Sequence, residues 1–211
     1  MPHLVLIGDS ILDNAAYTLG GPDVVSQVRE LLPPRWEATL LAVDGSTTDH
    51  VTSQLGRLPK DATHLVLSVG GNNALMHLGI LESPVLTVAK SIEVLADMAA
   101  DFEARYRSVI AACLDTGLRL AVCTVYNGCF DDQSFQRIAS TTLTVFNDAI
   151  IRVAIENSFP VIDLRFVCSK AEDYANPIEP SSVGGAKIAR VIVRLVCDAN
   201  GIAPTTPIIV A

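Results

Sequence analysis

Hydrophobic residues in this chain fall into two kinds of run. Five runs are short: His3–Gly8 (HLVLIG), Trp36–Val43 (WEATLLAV), Thr63–Val69 (THLVLSV), Leu118–Val125 (LRLAVCTV) and Pro160–Leu164 (PVIDL). All but the second are apolar at nearly every position, the pattern of parallel strands buried on both faces. Between them apolar residues return at helical spacing, over Pro22–Leu32, Thr47–Leu58, Val85–Thr116, Gln133–Asn157 and Val183–Ala199. Ser46 is the expected N-cap of the second helix, and Asp131-Asp132 the expected cap of the fourth. The long third helix is expected to break internally and to stop at Gly117, and Asn200-Gly201 should close the last. Strand and helix alternate throughout, which predicts an α/β protein with a five-stranded, doubly wound parallel sheet. A chain of 211 residues without repeat or linker suits one domain. The tail Ile202–Ala211 reads equally as packed or loose.

Composition narrows the partners. Half of the residues are hydrophobic and 18% charged, enough apolar surface for a core on both sides of a sheet. The formal net charge of −8, with no cluster of Lys and Arg, argues against nucleic acid. The longest apolar stretches are strand-length, so no membrane span is expected. Five cysteines (Cys113, Cys123, Cys129, Cys168 and Cys197) lack CxxC spacing and are odd in number, as expected of free thiols in a reducing compartment. With no secretory pattern after Met1, the expected location is cytoplasmic.

In such sheets ligands bind beyond the carboxyl ends of the strands, where the winding reverses. That selects the segments Gly8–Tyr17, Asp44–His50, Gly70–Gly79, Tyr126–Gln133 and Arg165–Ser182. The first carries Gly8-Asp9-Ser10, which would expose the Ser10 hydroxyl at the rim, beside backbone N–H groups suited to an oxyanion. A helix-capping serine is the alternative. Asp9 is expected to brace that turn by accepting backbone N–H groups. In the second segment Gly45 would let a backbone N–H approach a substrate carbonyl, or simply serve the turn. The third reads Gly70-Gly71-Asn72-Asn73, where Asn72 would donate its amide to an oxyanion or form an ordinary turn. Taken together, the three segments would bring a nucleophile and three donors to one point.

Here the sequence resembles the SGNH, or GDSL, hydrolase superfamily. Gly8-Asp9-Ser10-Ile11 matches its first block, Gly45 its second, and Gly70-Gly71-Asn72-Asn73 its third, G-x-N-[DN]. The resemblance implies a three-layer α/β/α flavodoxin-like fold and a hydrolase of small-molecule carboxylic esters. Ser10 would be the nucleophile, Ser10, Gly45 and Asn72 the oxyanion hole, and no cofactor or metal would be needed. The family's last block, Asp-x-x-His-Pro, is altered: this chain reads Asn176-Pro177-Ile178-Glu179-Pro180. A glutamate titrates near 4.3 against roughly 6.5 for imidazole, so Glu179 would need burial to serve as a base. Asn176 would then hold Glu179 by a hydrogen bond without adding a second charge. His77 and His50, each just past a rim motif, are the other candidate bases, whereas His3 and His64 begin strands at the remote end. Loss of hydrolysis, leaving a binding module for a carboxylate or acetyl group, is the rival reading. A flavodoxin-type nucleotide domain is disfavoured because GDSIL supplies no phosphate cradle. The apolar segment Ala74–Leu81 would line an acyl pocket or form a buried cover helix.

Overall fold

Five strands form one all-parallel sheet: β1 (His3–Gly8), β2 (Glu37–Leu40), β3 (His64–Ser68), β4 (Arg119–Cys123) and β5 (Val161–Ile162). Their order is β2-β1-β3-β4-β5, which makes the gap between β1 and β3 the switch point. The structure is a computed structural model and describes residues 1–197. The expected stop at Asn200-Gly201 and the tail Ile202–Ala211 lie outside the described residues.

Among the described residues seven α-helices connect or follow these strands: α1 (Val24–Leu31), α2 (Val51–Leu55), α3 (Gly71–Leu75), α4 (Val88–Asp115), α5 (Gln133–Glu156), α6 (Leu164–Val167) and α7 (Ser182–Cys197). Alternation along β1 assigns the layers. Leu4 and Leu6 join Val24 and Val28 of α1 and Ile188 and Ile192 of α7 in one core. Val5 and Ile7 point the other way, to Val51 of α2, Phe102 and Tyr106 of α4, and Phe146 and Ile150 of α5. The result is a three-layer α/β/α sandwich of the flavodoxin-like order. α5 is long and apolar enough by composition to cross a bilayer, yet it packs Phe146, Ile150 and Val153 into the second core.

Several boundaries move for local reasons. The run Trp36–Val43 pairs regularly only over Glu37–Leu40, because the Leu41 and Ala42 N–H groups both converge on the Leu6 carbonyl (2.8 and 3.0 Å). The run Pro160–Leu164 shrinks to two residues because Asp163 already caps α6. The helix predicted over Val85–Thr116 starts at Val88, capped by Thr87, and continues unbroken. Thr47, not Ser46, caps the second helical segment, which opens as a 3-10 turn at Thr48–His50. Asp132 caps α5 as expected, accepting from the Ser134 and Phe135 N–H groups. The segment Ala74–Leu81 is no buried cover helix: α3 ends at Leu75, a 3-10 turn follows, and Met76 is 75% exposed.

The end of β1 tolerates one residue type. Gly8 has φ +124°, and a Cβ there would lie 1.7 Å from the Ser68 carbonyl oxygen of β3. We expect Gly8→Ala to lower the unfolding free energy by about 3 kcal/mol or more, since backbone strain and overpacking combine. Urea denaturation followed by circular dichroism measures it.

Candidate active site

Ser10 lies two residues beyond the Gly8 turn, in a bend closed by the Leu12 and Asp13 N–H groups donating to the Asp9 carbonyl (3.1 Å each). It is only 6% exposed, so the hydroxyl expected on the open rim instead faces a pocket. Asp9 braces the bend as expected, accepting the Ile11 N–H at 3.2 Å. Burial pushes its carboxyl up to about 8, the Ile11 hydrogen bond pulls it down, and nearby Glu179 adds to the rise.

Buried amides join the rim segments. Gln54 of α2 accepts the Gly8 N–H (2.7 Å) and donates to the Gly8 carbonyl (2.8 Å) and the Ser46 hydroxyl (3.2 Å). Asn72 donates to the Ser46 carbonyl at 2.9 Å, which sets its side chain against the residue after Gly45. Asn73 accepts the Thr48 N–H (3.1 Å) and donates to the Thr48 hydroxyl (2.9 Å). The first three blocks thus form one hydrogen-bonded unit. Gly45 turns the chain with φ +78°, in the left-handed region that glycine adopts without strain.

The last block is fastened to the same unit. Asn14 is fully buried, accepting the Val24 N–H (2.8 Å) and donating to the Pro180 carbonyl (3.1 Å). The Tyr126 hydroxyl donates to the Ile178 carbonyl at 2.6 Å. Asn176 accepts the Ile178 and Glu179 N–H groups (3.0 and 2.9 Å), so it holds Glu179 by the backbone and not by the carboxylate. Below this loop, buried Asp173 accepts the Ser169 and Lys170 N–H groups at 3.0 Å and pairs with Lys187 of α7.

These ties bring Glu179 to the pocket wall, 7% exposed, with Oε2 buried and without a hydrogen-bond partner. Burial raises its carboxyl from 4.5 to about 7, opposed by the Ser10 hydroxyl and assisted by the charge of Asp44. The Ser10 hydroxyl lies near enough to this carboxyl to favour its ionised form. His77 lines the pocket as well, from the turn after α3. The His50 ring is engaged elsewhere, its Nδ1 accepting the Thr47 N–H at 3.0 Å.

The pocket has a cavity volume of about 90 Å³. Asp9, Ser10, Asn72, His77, Asn127, Thr142 and Glu179 give it polar groups, and apolar side chains such as Leu75, Met98 and Leu143 line much of the remainder. Gly45 does not line it; the turn carrying Gly45 is tied to the pocket wall through Asn72. Among the described residues one His/Asp/Glu cluster gathers, His3 with Glu37 and Asp61, at the opposite end of the sheet. Both His3 ring nitrogens already face protein partners, Asp61 at 3.1 Å and Thr39 at 2.8 Å.

The GDSL-like lipase/acylhydrolase family matches residues 6–184. The chain belongs to that family. Solved structures agree in fold. The lipase Lip_vut3 from a goat rumen metagenome superposes with a TM-score of 0.70 at 19% identity, covering 91% of this chain and 96% of that one. Phospholipase A1 from Streptomyces albidoflavus NA297 gives 0.68 at 13%, covering 90% and 97%. The acetylxylan esterase Axe2 from Geobacillus stearothermophilus gives 0.64 at 16%, covering 91% and 92%. A comparison with curated proteins finds no match. Family membership makes the chain an acyl-ester hydrolase by class.

Sequence reasoning missed Gln54, Asn14 and Tyr126. Each is a polar side chain buried among apolar neighbours, and the signal was present: Gln54 lies at a core-facing position of its helix. Gln54→Leu would leave the Gly8 N–H unpaired inside the protein and take from the Gly8 carbonyl one of its two donors, the Val43 N–H at 3.1 Å remaining. We expect it to cost about 3 kcal/mol, measured by urea denaturation, and to lower ester turnover by slackening the Ser10 turn.

Proposed function

We propose that the chain is a serine hydrolase of small carboxylic esters in which Ser10 is the nucleophile and Glu179 its general base. The observation that carries this reading is the pairing of a pocket hydroxyl with a buried carboxyl raised to about 7. A base works best with a pKa near the working pH, and burial gives this glutamate what an imidazole has by nature.

In the proposed cycle Glu179 takes the Ser10 proton as Oγ attacks the ester carbonyl carbon. The tetrahedral oxyanion is held by the Ser10 and Gly45 backbone N–H groups and by the Asn72 amide. One Asn72 N–H is spent on the Ser46 carbonyl, which fixes the amide plane and leaves the second N–H for substrate. Among the described residues no protein acceptor takes the Ser10 or Gly45 N–H. Glu179 then protonates the departing alkoxide; the same carboxylate deprotonates a water that attacks the acyl-enzyme carbonyl, and as the acid departs Glu179 returns that proton to the Ser10 oxygen. Asn176 fits this scheme better than an aspartate would. An anion beside Glu179 would raise its pKa further and repel the charged form, whereas the amide fixes the loop and stays neutral. A bound carboxylate would face both Asp9 and Glu179, which weighs against a carboxylate-binding module. Five free thiols fit a reducing, cytoplasmic setting.

Two experiments test the roles. Ser10→Ala should lower p-nitrophenyl acetate hydrolysis by about a thousandfold or more; retention of wild-type turnover would remove Ser10 from the mechanism. Because the ionised form of Glu179 is the active one, wild-type kcat/KM should climb through an apparent pKa of about 7 and level off above it. Glu179→Gln should cut kcat about a hundredfold or more. A carboxyl whose folded pKa is raised penalises the fold as it ionises, so stability declines as pH rises from about 4.5 to 7. Glu179→Gln removes that penalty, and its Tm at pH 8 should not fall below wild type. Full activity in Glu179→Gln together with loss in His77→Ala would move the base to His77.

A further inference from the structure

The pocket at Ser10 does not end at its apolar wall. Ile80, Leu81 and Thr142 line it and also line a second, larger groove of about 540 Å³ between the amino-terminal halves of α4 and α5. Val94 and Leu95 of α4 and Ile138 of α5 carry the apolar lining outward, with Ser91 and Thr141 beside them. The gap has a structural origin. The first buried residue of α4 is Met98 and that of α5 is Phe146, and before them the two helices give the core only partly buried side chains, Val94, Leu95 and Leu143 among them. Apolar side chains nevertheless crowd this end, with Leu86 100%, Val88 78% and Ile92 60% exposed.

Resting on the hydrolase reading above, we infer that the two chambers are one channel for the acyl group of the substrate, and that this group is an aliphatic chain of medium length. An acetyl group would touch only the polar end and leave the apolar wall unused. Each methylene that leaves water along that wall favours binding by up to about fourfold. The inner chamber contains no Lys or Arg, and its carboxyls Asp9 and Glu179 disfavour an anionic acyl group there. A neutral chain meets neither objection.

The test is the acyl series of p-nitrophenyl acetate, butyrate, octanoate and dodecanoate, run beside ethyl, butyl and octyl acetates. We expect kcat/KM to rise at least about tenfold from p-nitrophenyl acetate to octanoate, and the acetates to show no such gain with alcohol length. Ser91→Trp, at a position that lines only the outer groove, should lower the octanoate-to-acetate ratio about tenfold. Calorimetric titration with octanamide, a neutral acyl analogue and a readout free of catalysis, should give saturable binding that Ser91→Trp weakens. A flat acyl series with acetate still hydrolysed overturns the channel, as does a gain that follows the alcohol instead. If no ester is turned over, octanamide binding decides. Saturable binding keeps the channel and removes the hydrolase reading, and absence of binding removes both.

Discussion

The site depends on amide side chains, most of them buried, that tie the separate rim segments to one another. A strand end in a parallel sheet leaves its last N–H and C=O groups without ladder partners, and unpaired groups there are costly. Gln54 satisfies both ends of Gly8 and reaches Ser46, Asn72 and Asn73 hold the second rim segment, and Asn14 ties the first segment to Pro180. The groups that satisfy the sheet ends are the same groups that fix where Ser10, Gly45, Asn72 and Glu179 lie. Neutral amides suit this duty. They donate and accept at once, and they place no charge beside a carboxyl that must change protonation state.

The electrostatics follow from that choice. Asp9 and Glu179 share one pocket, and the charge of Glu179 adds to the rise at Asp9. Asp9, deeper and more fully enclosed, is held up to about 8, above the value near 7 of Glu179. Around neutrality Asp9 therefore keeps its proton while Glu179 begins to lose its own. On the proposed mechanism two chemically similar carboxyls would have distinct duties, Asp9 bracing the turn and Glu179 moving a proton. A second ionised carboxylate in place of Asn176 would upset that ordering.

The layer architecture was legible because it is written in period and composition. Runs such as HLVLIG and LRLAVCTV admit few readings other than buried parallel strands, and alternation with helices makes the sheet doubly wound, while its flavodoxin-like order was legible only through the family resemblance. The rim motifs were legible because Gly8, Gly45 and the Asn72-Asn73 pair follow strand ends directly. Side-chain partners were not. Nothing in the spacing says that Asn14 reaches a residue 166 positions away, or that Asn176 bonds backbone instead of carboxylate. Ser46 and Thr47 compete for one cap, and only the capping box with His50 decides between them. The Ala74–Leu81 segment misled for a related reason, since an apolar run marks a buried helix only when another element is present to cover it.

That uncovered segment belongs with a wider division of labour between α4 and α5. Deeper along their length the two helices lock together through the Phe102–Phe146 ring contact, at 4.9 Å. Ion pairs add to this, from Arg107 to Glu156 (2.6 Å) and from Arg152 to Glu103 (2.7 Å). These pairs are largely exposed and individually weak, so the aromatic core supplies most of the attachment. Having secured the helices there, the fold can leave their amino-terminal turns apart without losing the domain. A cavity beside a catalytic pocket forfeits packing energy, and this chain confines that loss to the end of the sandwich where the core has already thinned. Stability is gathered at one end of the helix pair, and apolar binding surface is left free at the other.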